Sequence, residues 1–426
     1  MTLVIVAILL LCYFLIVTEN FTNINKAASA IFAGTVAWMV YIVPTTLEQK
    51  NYIAQHVFLP YVGRASEIVL FLLATMTIVE ILNNNGCFDF VTQLLKTRSA
   101  KRMLWTLGTV TFLISINLDN LSTTVMMLTM MHKIVSHRRQ RMLYGAAIVV
   151  AANCGGAMTV IGDPSGLLLW NLDLVTATNF SMSLLLPCVA AWALTTWLIG
   201  KMLPEKVATE WIVMPYRGDD TKLNTWQRLV MLFVGIGGLW FIPTFHNLTQ
   251  LSPFLGALCV LALLWIVNEV FNRKLMNSGQ LVLQRVPSAL QYGVMQMMFF
   301  VMGLMLVVGI VQETDAIDWF ISQSGIYIKN VWAMGAVAAA ISSLLDNFAT
   351  ALSFISLNSH AEQNDMYWKI VSFASGVGGN LLCIGSVSGL ALMKMENMRL
   401  GWYVQHVTWR VLCGLIVGYG VLFFVV

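Results

Sequence analysis

Apolar runs of about 17 or more residues recur along the whole chain, and this leaves few folds open. A backbone inside hydrocarbon has no water to bond to, so each run must satisfy its own N–H and C=O groups, as a helix does. The chain therefore reads as an all-α polytopic membrane protein. Only 10% of its residues are charged, against roughly 25% in a soluble protein. The net charge of +4 sits mainly in loops between apolar runs, which argues for membrane topology and against nucleic-acid binding. The seven Cys show no CxxC spacing, and most fall in apolar segments, as Cys188, Cys259 and Cys413 do. They read as small hydrophobes, not as a disulfide or metal framework. Met1–Val17 has no basic leader region and no A-x-A-like cleavage site, so it is expected to stay as the first span. No cofactor is implied.

Two stretches violate the apolar pattern in the same way. Ile114–Thr124 places Asp119, Asn120 and the hydroxyls of Ser122, Thr123 and Thr124 inside an apolar run from Met103 to Met131. Ile341–Thr350 repeats it: aligned without gaps, the two share Ile, Ser, Leu, Asp, Asn and Thr. A charge in hydrocarbon costs roughly 2.5–3.5 kcal/mol even on a lenient scale. A chain that carries this cost twice, in register, is expected to use both copies. The arms on either side of Asp119-Asn120 are too short to cross a core that needs about 20 helical residues. Residues 103–131 and 331–357 therefore read as re-entrant helical hairpins, with Asp119-Asn120 and Asp346-Asn347 at their tips.

A second matched pair follows each hairpin. Residues 143–170 and 369–392 are apolar but interrupted, by Asn153-Cys154-Gly155-Gly156 with Gly162-Asp163-Pro164-Ser165-Gly166, and by Gly378-Gly379-Asn380 with Gly385-Ser386-Val387-Ser388-Gly389. Glycine and proline this dense free backbone groups at membrane depth, which is tolerated only where they line a cavity or are buried in protein. Around these lie ordinary spans: Leu3–Val17, Ala27–Val43, Glu67–Asn83, Phe180–Gly200, Leu229–Pro243, Pro253–Phe271, Ala289–Val311 and Trp402–Val426. Pro44–Arg64 reads as a loop. Asn83-Asn84-Asn85-Gly86 reads as a helix stop. Cys87–Arg102 and Asn272–Pro287 read as amphipathic surface segments. The plan is five spans and a hairpin, twice: ten transmembrane helices and two hairpins, in a first repeat 1–200, a cytoplasmic linker 201–228 and a second repeat 229–426.

The excess of Lys and Arg sets the orientation. Placing 96–102 inside puts Lys26, the cluster 133–141, the linker, Arg273, Lys274, Arg285, Lys394 and Arg399 inside as well. Only Lys50, Arg64, Lys329 and Lys369 remain outside. Both termini are then external, the first hairpin enters from the cytoplasm and the second from outside. The halves are inverted repeats, the plan of secondary transporters, whose site lies at the midplane between discontinuous helices.

Asp119, Asp163 and Asp346 all fall at tips or breaks. Three acids around one cavity would repel an anion but hold a hard cation such as Na⁺ among oxygen ligands. Asn120, Ser122, Thr123, Ser165, Asn347 and Thr350 can add neutral oxygens, and Asn153, Gly378, Ser386 and Ser388 complete the breaks. Carboxylates in low dielectric also take up protons when the cation leaves. Cation and proton would compete for one site, and competition with alternating access is antiport. Plain readings exist for each residue: Asp119 and Asp346 as helix caps, Asp163 as a turn residue before Pro164, the Gly pairs as close-packing positions. Glu80, near the end of its span, is either an accessory proton site or a snorkelling charge. Glu396, between Lys394 and Arg399, reads as an exposed loop charge. No histidine is singled out.

These motifs resemble the NhaD-type sodium/proton antiporters of the ion transporter superfamily. The resemblance rests on Leu118-Asp119-Asn120-Leu121-Ser122-Thr123-Thr124, Asn153-Cys154-Gly155-Gly156, Ile161-Gly162-Asp163, Asp346-Asn347, Gly378-Gly379 with Ile384-Gly385-Ser386, and Thr77-Ile78-Val79-Glu80. It covers most of the chain. It implies exchange of Na⁺ or Li⁺ for H⁺ across a bacterial inner membrane, a scaffold with a moving transport domain, a homodimer, and ion or proton handling at Asp119, Asn120, Asn153, Asp163, Asp346, Asn347 and Glu80. One departure stands out: the family follows its Gly-Asp with consecutive threonines, whereas here Pro164-Ser165-Gly166 follows. A sodium-coupled symporter of dicarboxylate or oxyanion is the main rival, disfavoured because both tips carry Asp. An intramembrane aspartyl protease using Asp119 and Asp163 leaves Asp346 and the repeat unexplained.

Overall fold

In a computed structural model of the protein, the described residues are 2–22, 24–88, 90–91, 95, 97–207, 223–272, 292–314, 330–358 and 361–425. Their regular structure is helical throughout, apart from one isolated bridge between Ser99 and Lys206. In chain order, α1 is Thr2–Val17, α2 Lys26–Ile42, α3 Leu47–Asn84, α4 Ala100–Ser115 and α5 Asn120–Ile134. Then come α6 Arg138–Ala157, α7 Pro164–Asn171, α8 Ala177–Gly200, α9 Thr225–Thr249, α10 Pro253–Asn272 and α11 Tyr292–Glu313. The chain closes with α12 Val331–Ser342, α13 Asn347–Leu357, α14 Met366–Gly378, α15 Val387–Glu396 and α16 Leu400–Val425. Six helices (α3, α8, α9, α10, α11 and α16) are long and apolar enough to cross a membrane, and α1, α2, α12 and α13 are shorter apolar helices. The protein is a multi-pass membrane protein.

The expected loop 44–64 is corrected to helix from Leu47 onward, continuous with the third span. Thr46 and Gln49 form a capping box at its start, so the polar run Leu47–Tyr52 makes exposed first turns instead of a connection. Over Ile53–Phe58 the helix widens to π geometry. Pro60 lacks an N–H and its ring would crowd the carbonyl four residues back, within that widened turn. The stop at Asn83-Asn84-Asn85-Gly86 holds: α3 ends at Asn84, Gly86 takes φ 66°, and the Cys87 N–H bonds back to the Leu82 carbonyl at 3.0 Å.

The segment after it is more deeply packed than a surface helix. Cys87, Phe88, Val91 and Leu95 are buried. Its end is pinned by backbone bonds from Ala100 N–H to Glu205 and from Val207 N–H to Arg98. Linker residues 208–222, the amphipathic stretch 273–287 and the start of the 289–311 span lie outside the described residues.

Helix packing sorts into two groups. Helices α2 and α11 make the most extensive contact in the first, joined by α1, α3, α9 and α10. Small residues explain the close approach: Ala27, Ala30, Ala33, Gly34 and Ala37 line the buried face of α2, and Trp38 Nε1 donates to the Leu306 carbonyl at 2.9 Å. The second group is built on α6, which packs on α4, α5, α8, α14 and α15, with α16 against α8 and α12 and α13 against α14. The groups meet where α11 touches α13 and where α3 touches α7 and α5.

Glu396 is a correction. It is buried, not an exposed loop charge. Arg141 Nε lies 3.1 and 3.0 Å from its two oxygens, and His132 Nδ1 lies 2.9 Å from Oε1. Arg138 donates to the carbonyls of Glu396 and Asn397. The cluster joins the end of α5, the start of α6 and the end of α15. Arginines in the first turn of α6 oppose its helix dipole, and the carboxylate offsets this.

Candidate functional site

All four interrupted motifs form helix N-termini. Asp119 caps α5 and accepts from the Ser122 N–H at 2.9 Å; Asp346 caps α13 and accepts from the Phe348 N–H at 3.1 Å. Asp163 occupies the cap position of α7, with Pro164 in the first turn. Ser386 caps α15 and accepts from the Gly389 N–H at 3.1 Å. At Asp119, Asp346 and Ser386 a short polar side chain supplies the missing acceptor just before an apolar run; at Asp163, which makes no such bond, Pro164 begins the helix. Helices α4 and α5, and α12 and α13, pack on each other across links 116–119 and 343–346, as hairpins do.

The two hairpins hold the two breaks through matching contacts. Ser115 Oγ donates to the Ala152 carbonyl at 2.7 Å, and Ser342 Oγ donates to the Ser375 carbonyl at 2.6 Å. A Cβ on Gly155 would stand 2.5 Å from the Phe112 carbonyl oxygen, and one on Gly378 would stand 2.7 Å from Ala339 Cα. These are corresponding positions in the motif alignments. The obstructing atoms are backbone and have nowhere to move. Gly155→Ala and Gly378→Ala are therefore expected to destabilise the protein by about 1–3 kcal/mol each. A thermal melt in detergent checks this, and an unchanged midpoint would refute the close approach.

Where the breaks meet, a chain of side-chain bonds crosses from one to the other. Asn120 Nδ2 donates to Asp163 Oδ1 at 3.1 Å and to Asn153 Oδ1 at 3.2 Å. Asn153 Nδ2 donates to Asn380 Oδ1 at 2.8 Å and to Ser386 Oγ at 2.9 Å. Ser165 Oγ donates to Asp163 Oδ2. Every member is buried. Asn120, Asn153, Asp163, Ser165 and Ser386 are thus brought together as the sequence suggests. Asn347 sits at the equivalent of Asn120, its Oδ1 against Gly379 and 3.5 Å from Ser342 Oγ. Asp119 Oδ2 and the hydroxyls of Thr123, Thr350 and Ser388 are buried with no hydrogen-bond partner among the described residues. Buried oxygens of this kind are unusual in a finished core, and oxygen is the ligand type a small hard cation takes. Ser122 is half-buried at the start of α5. Glu80 accepts from Asn84 one turn on along its own helix, at 3.0 Å.

The sequence leads to the expectation of a sodium site at Asp119, Asp163 and Asp346 together. No three of His, Cys, Asp and Glu converge as a metal cluster among the described residues. Asp163 lies within electrostatic reach of Asp346, but Asp346 already has a partner: Lys26 Nζ is 3.1 Å from its Oδ2. Lys26, placed above on the cytoplasmic side, is a buried residue at the first position of α2. Sequence reasoning missed Lys26 and also missed Asn380 as a site residue. Asn380 stands in the quoted break motif, and that was its signal; the signal for Lys26 was a cation placed at a helix start, where the dipole disfavours it.

Comparison with known proteins follows the same outline. A family profile described as citrate transporter matches residues 13–378. The chain is 31% identical to "Sodium/proton antiporter 1" of Arabidopsis thaliana, over 92% of this chain and 67% of that protein. It is 28% identical to "Sodium/proton antiporter 2" of the same plant, over 95% of each. It is 25% identical to "Na(+)/H(+) antiporter NhaD" of Vibrio cholerae, over 94% of this chain and 86% of that protein.

Proposed function

The chain belongs to the citrate transporter family and is of the NhaD type, and from that premise we propose that it exchanges cytoplasmic Na⁺ or Li⁺ for external H⁺ at one shared site. The observation that carries this reading is the buried chain Asp163–Asn120–Asn153–Asn380/Ser386, with buried unpartnered oxygens at Asp119, Thr123, Thr350 and Ser388 in the same motifs. Asp163, Asp119 and, once Lys26 leaves it, Asp346 supply negative charge, and the hydroxyls and amide oxygens complete an oxygen-rich shell that suits a hard cation. The same carboxylates take a proton when the cation leaves. Occupancy is exclusive, so carrying one species inward requires releasing the other outward.

Further features belong to this proposal. The matched Ser115/Ser342 and Gly155/Gly378 contacts support two structurally related halves, read as inverted repeats with the site between discontinuous helices. The two packing groups suit a scaffold (α1–α3, α9–α11) and a moving unit that carries the site, with alternating access between them. A bacterial inner membrane, external termini and a homodimer complete the reading.

A second reading has one observation of its own. The family is described as citrate transporter, and helix N-termini, which all four motifs form here, favour anions. Sodium-coupled anion uptake is that alternative. Everted vesicles separate the two. Antiport predicts proton movement on adding Na⁺ or Li⁺, larger at alkaline pH, in an assay run across Li⁺, Na⁺, K⁺ and Ca²⁺. Sodium-driven uptake of labelled citrate or succinate without cation-driven proton flux would replace antiport with symport.

A further inference from the structure

The Lys26–Asp346 pair joins the two packing groups. Lys26 opens α2, which packs on α11; Asp346 caps α13 at the tip of the second hairpin. Both side chains are 8% exposed. The Lys26 ammonium also lies 4.4 Å from the ring centre of Phe300 on α11, a cation–π contact that favours it where it stands. Its own helix opposes it, because the N-terminus of α2 carries the positive end of the dipole. A neutral residue would suit α2 better. What holds a buried cation here is the carboxylate across the gap. A narrow crevice of about 10 Å³, room for about one water, borders the pair, lined by Ile16, Glu19, Lys26, Leu344, Asp346 and Ile384, so both charges face an opening.

We propose that Lys26 is a tethered counter-ion that alternates with the transported cation on Asp346. This deepens the antiport reading above and rests on it. Without cargo, the ammonium neutralises the carboxylate and ties α2 to the second hairpin. A cargo cation entering by the crevice displaces the ammonium, which swings into the crevice toward Glu19. Cation binding thus releases the one ion pair that bridges the two groups among the described residues. The exchange is of one cation for another. Lys26 would act as a positioning and affinity-setting residue, holding the half-saturating cation concentration above what the oxygens alone would give.

The test measures half-saturating Na⁺ for proton movement in everted vesicles. Lys26→Gln removes the competitor, so the half-saturating concentration should fall by ~10-fold or more. Lys26→Arg keeps a competing cation and should stay near the wild-type value. An unchanged or higher value in Lys26→Gln, or an equal fall in Lys26→Arg, would overturn the proposal. Because Lys26→Gln leaves a buried carboxylate alone and can fail to accumulate, the native protein supplies a second measurement. Acylation of Lys26 by a water-soluble amine reagent, read by mass spectrometry, should rise with NaCl relative to choline chloride. No rise, in vesicles where Na⁺ does drive proton movement, would also overturn it. Wild-type vesicles with no cation-driven proton movement would defeat the antiport reading itself, and the counter-ion with it.

Discussion

Asp119→Asn and Asp163→Asn are each expected to abolish cation-driven proton movement, lowering its rate on the order of 100-fold or more, without loss of protein from the membrane. Asparagine caps a helix as well as aspartate, and its amide oxygen still accepts from the Ser122 N–H at position 119. At position 163 an amide oxygen still meets Asn120. The substitutions remove the negative charge and the proton-binding oxygen while the bonds from the Ser122 N–H and from Asn120 remain. Retained exchange in either variant, with normal protein levels, would remove that carboxylate from the mechanism. Asp346→Asn is a poorer test, because it strands the Lys26 ammonium in a buried place, and breaking a buried pair is strongly destabilising on its own.

Glu396→Ala should destabilise the protein by about 3–5 kcal/mol, seen as a large drop in melting temperature in detergent and in the amount of protein in the membrane. The carboxylate is 2% exposed and Arg141 only 17%, so solvent screens this pair little. Its removal leaves Arg141 facing the positive end of α6 with only the carbonyls of Ser136 and Val135 beside it. Glu396→Gln keeps the volume and one acceptor and should fall between. A melting point that ignores both substitutions would mean the three-helix cluster contributes nothing measurable. Its distance in sequence from the Asp119 and Asp163 motifs lets the two experiments separate: this one should move stability, and the first should move transport.

Much of the site was legible because its signals are local. A carboxylate before an apolar run is a helix cap wherever the helix ends up, so Asp119 and Asp346 announced the starts of α5 and α13. Paired glycines in an apolar span announced backbone contact, and Gly155 and Gly378 meet the first arms of their hairpins. The expected loop at 44–64 failed for a reason that is also local: a polar segment with a good cap can begin a helix just as it can form a connection, and Pro60 does not end a helix that widens around it.

Alone, the sequence determined that this chain lies in a membrane as helices, where those helices break, and that two pairs of polar motifs match. Each of these follows from hydrophobicity, capping and glycine content within a few residues. Only the tertiary structure decided which charges are neutralised and by what. Lys26 and Asp346 are 320 residues apart in the chain, and Glu396 is 255 from Arg141. A charge at a helix end looks the same in sequence whether it meets water or a distant partner, because burial is a property of the packed assembly and not of the segment.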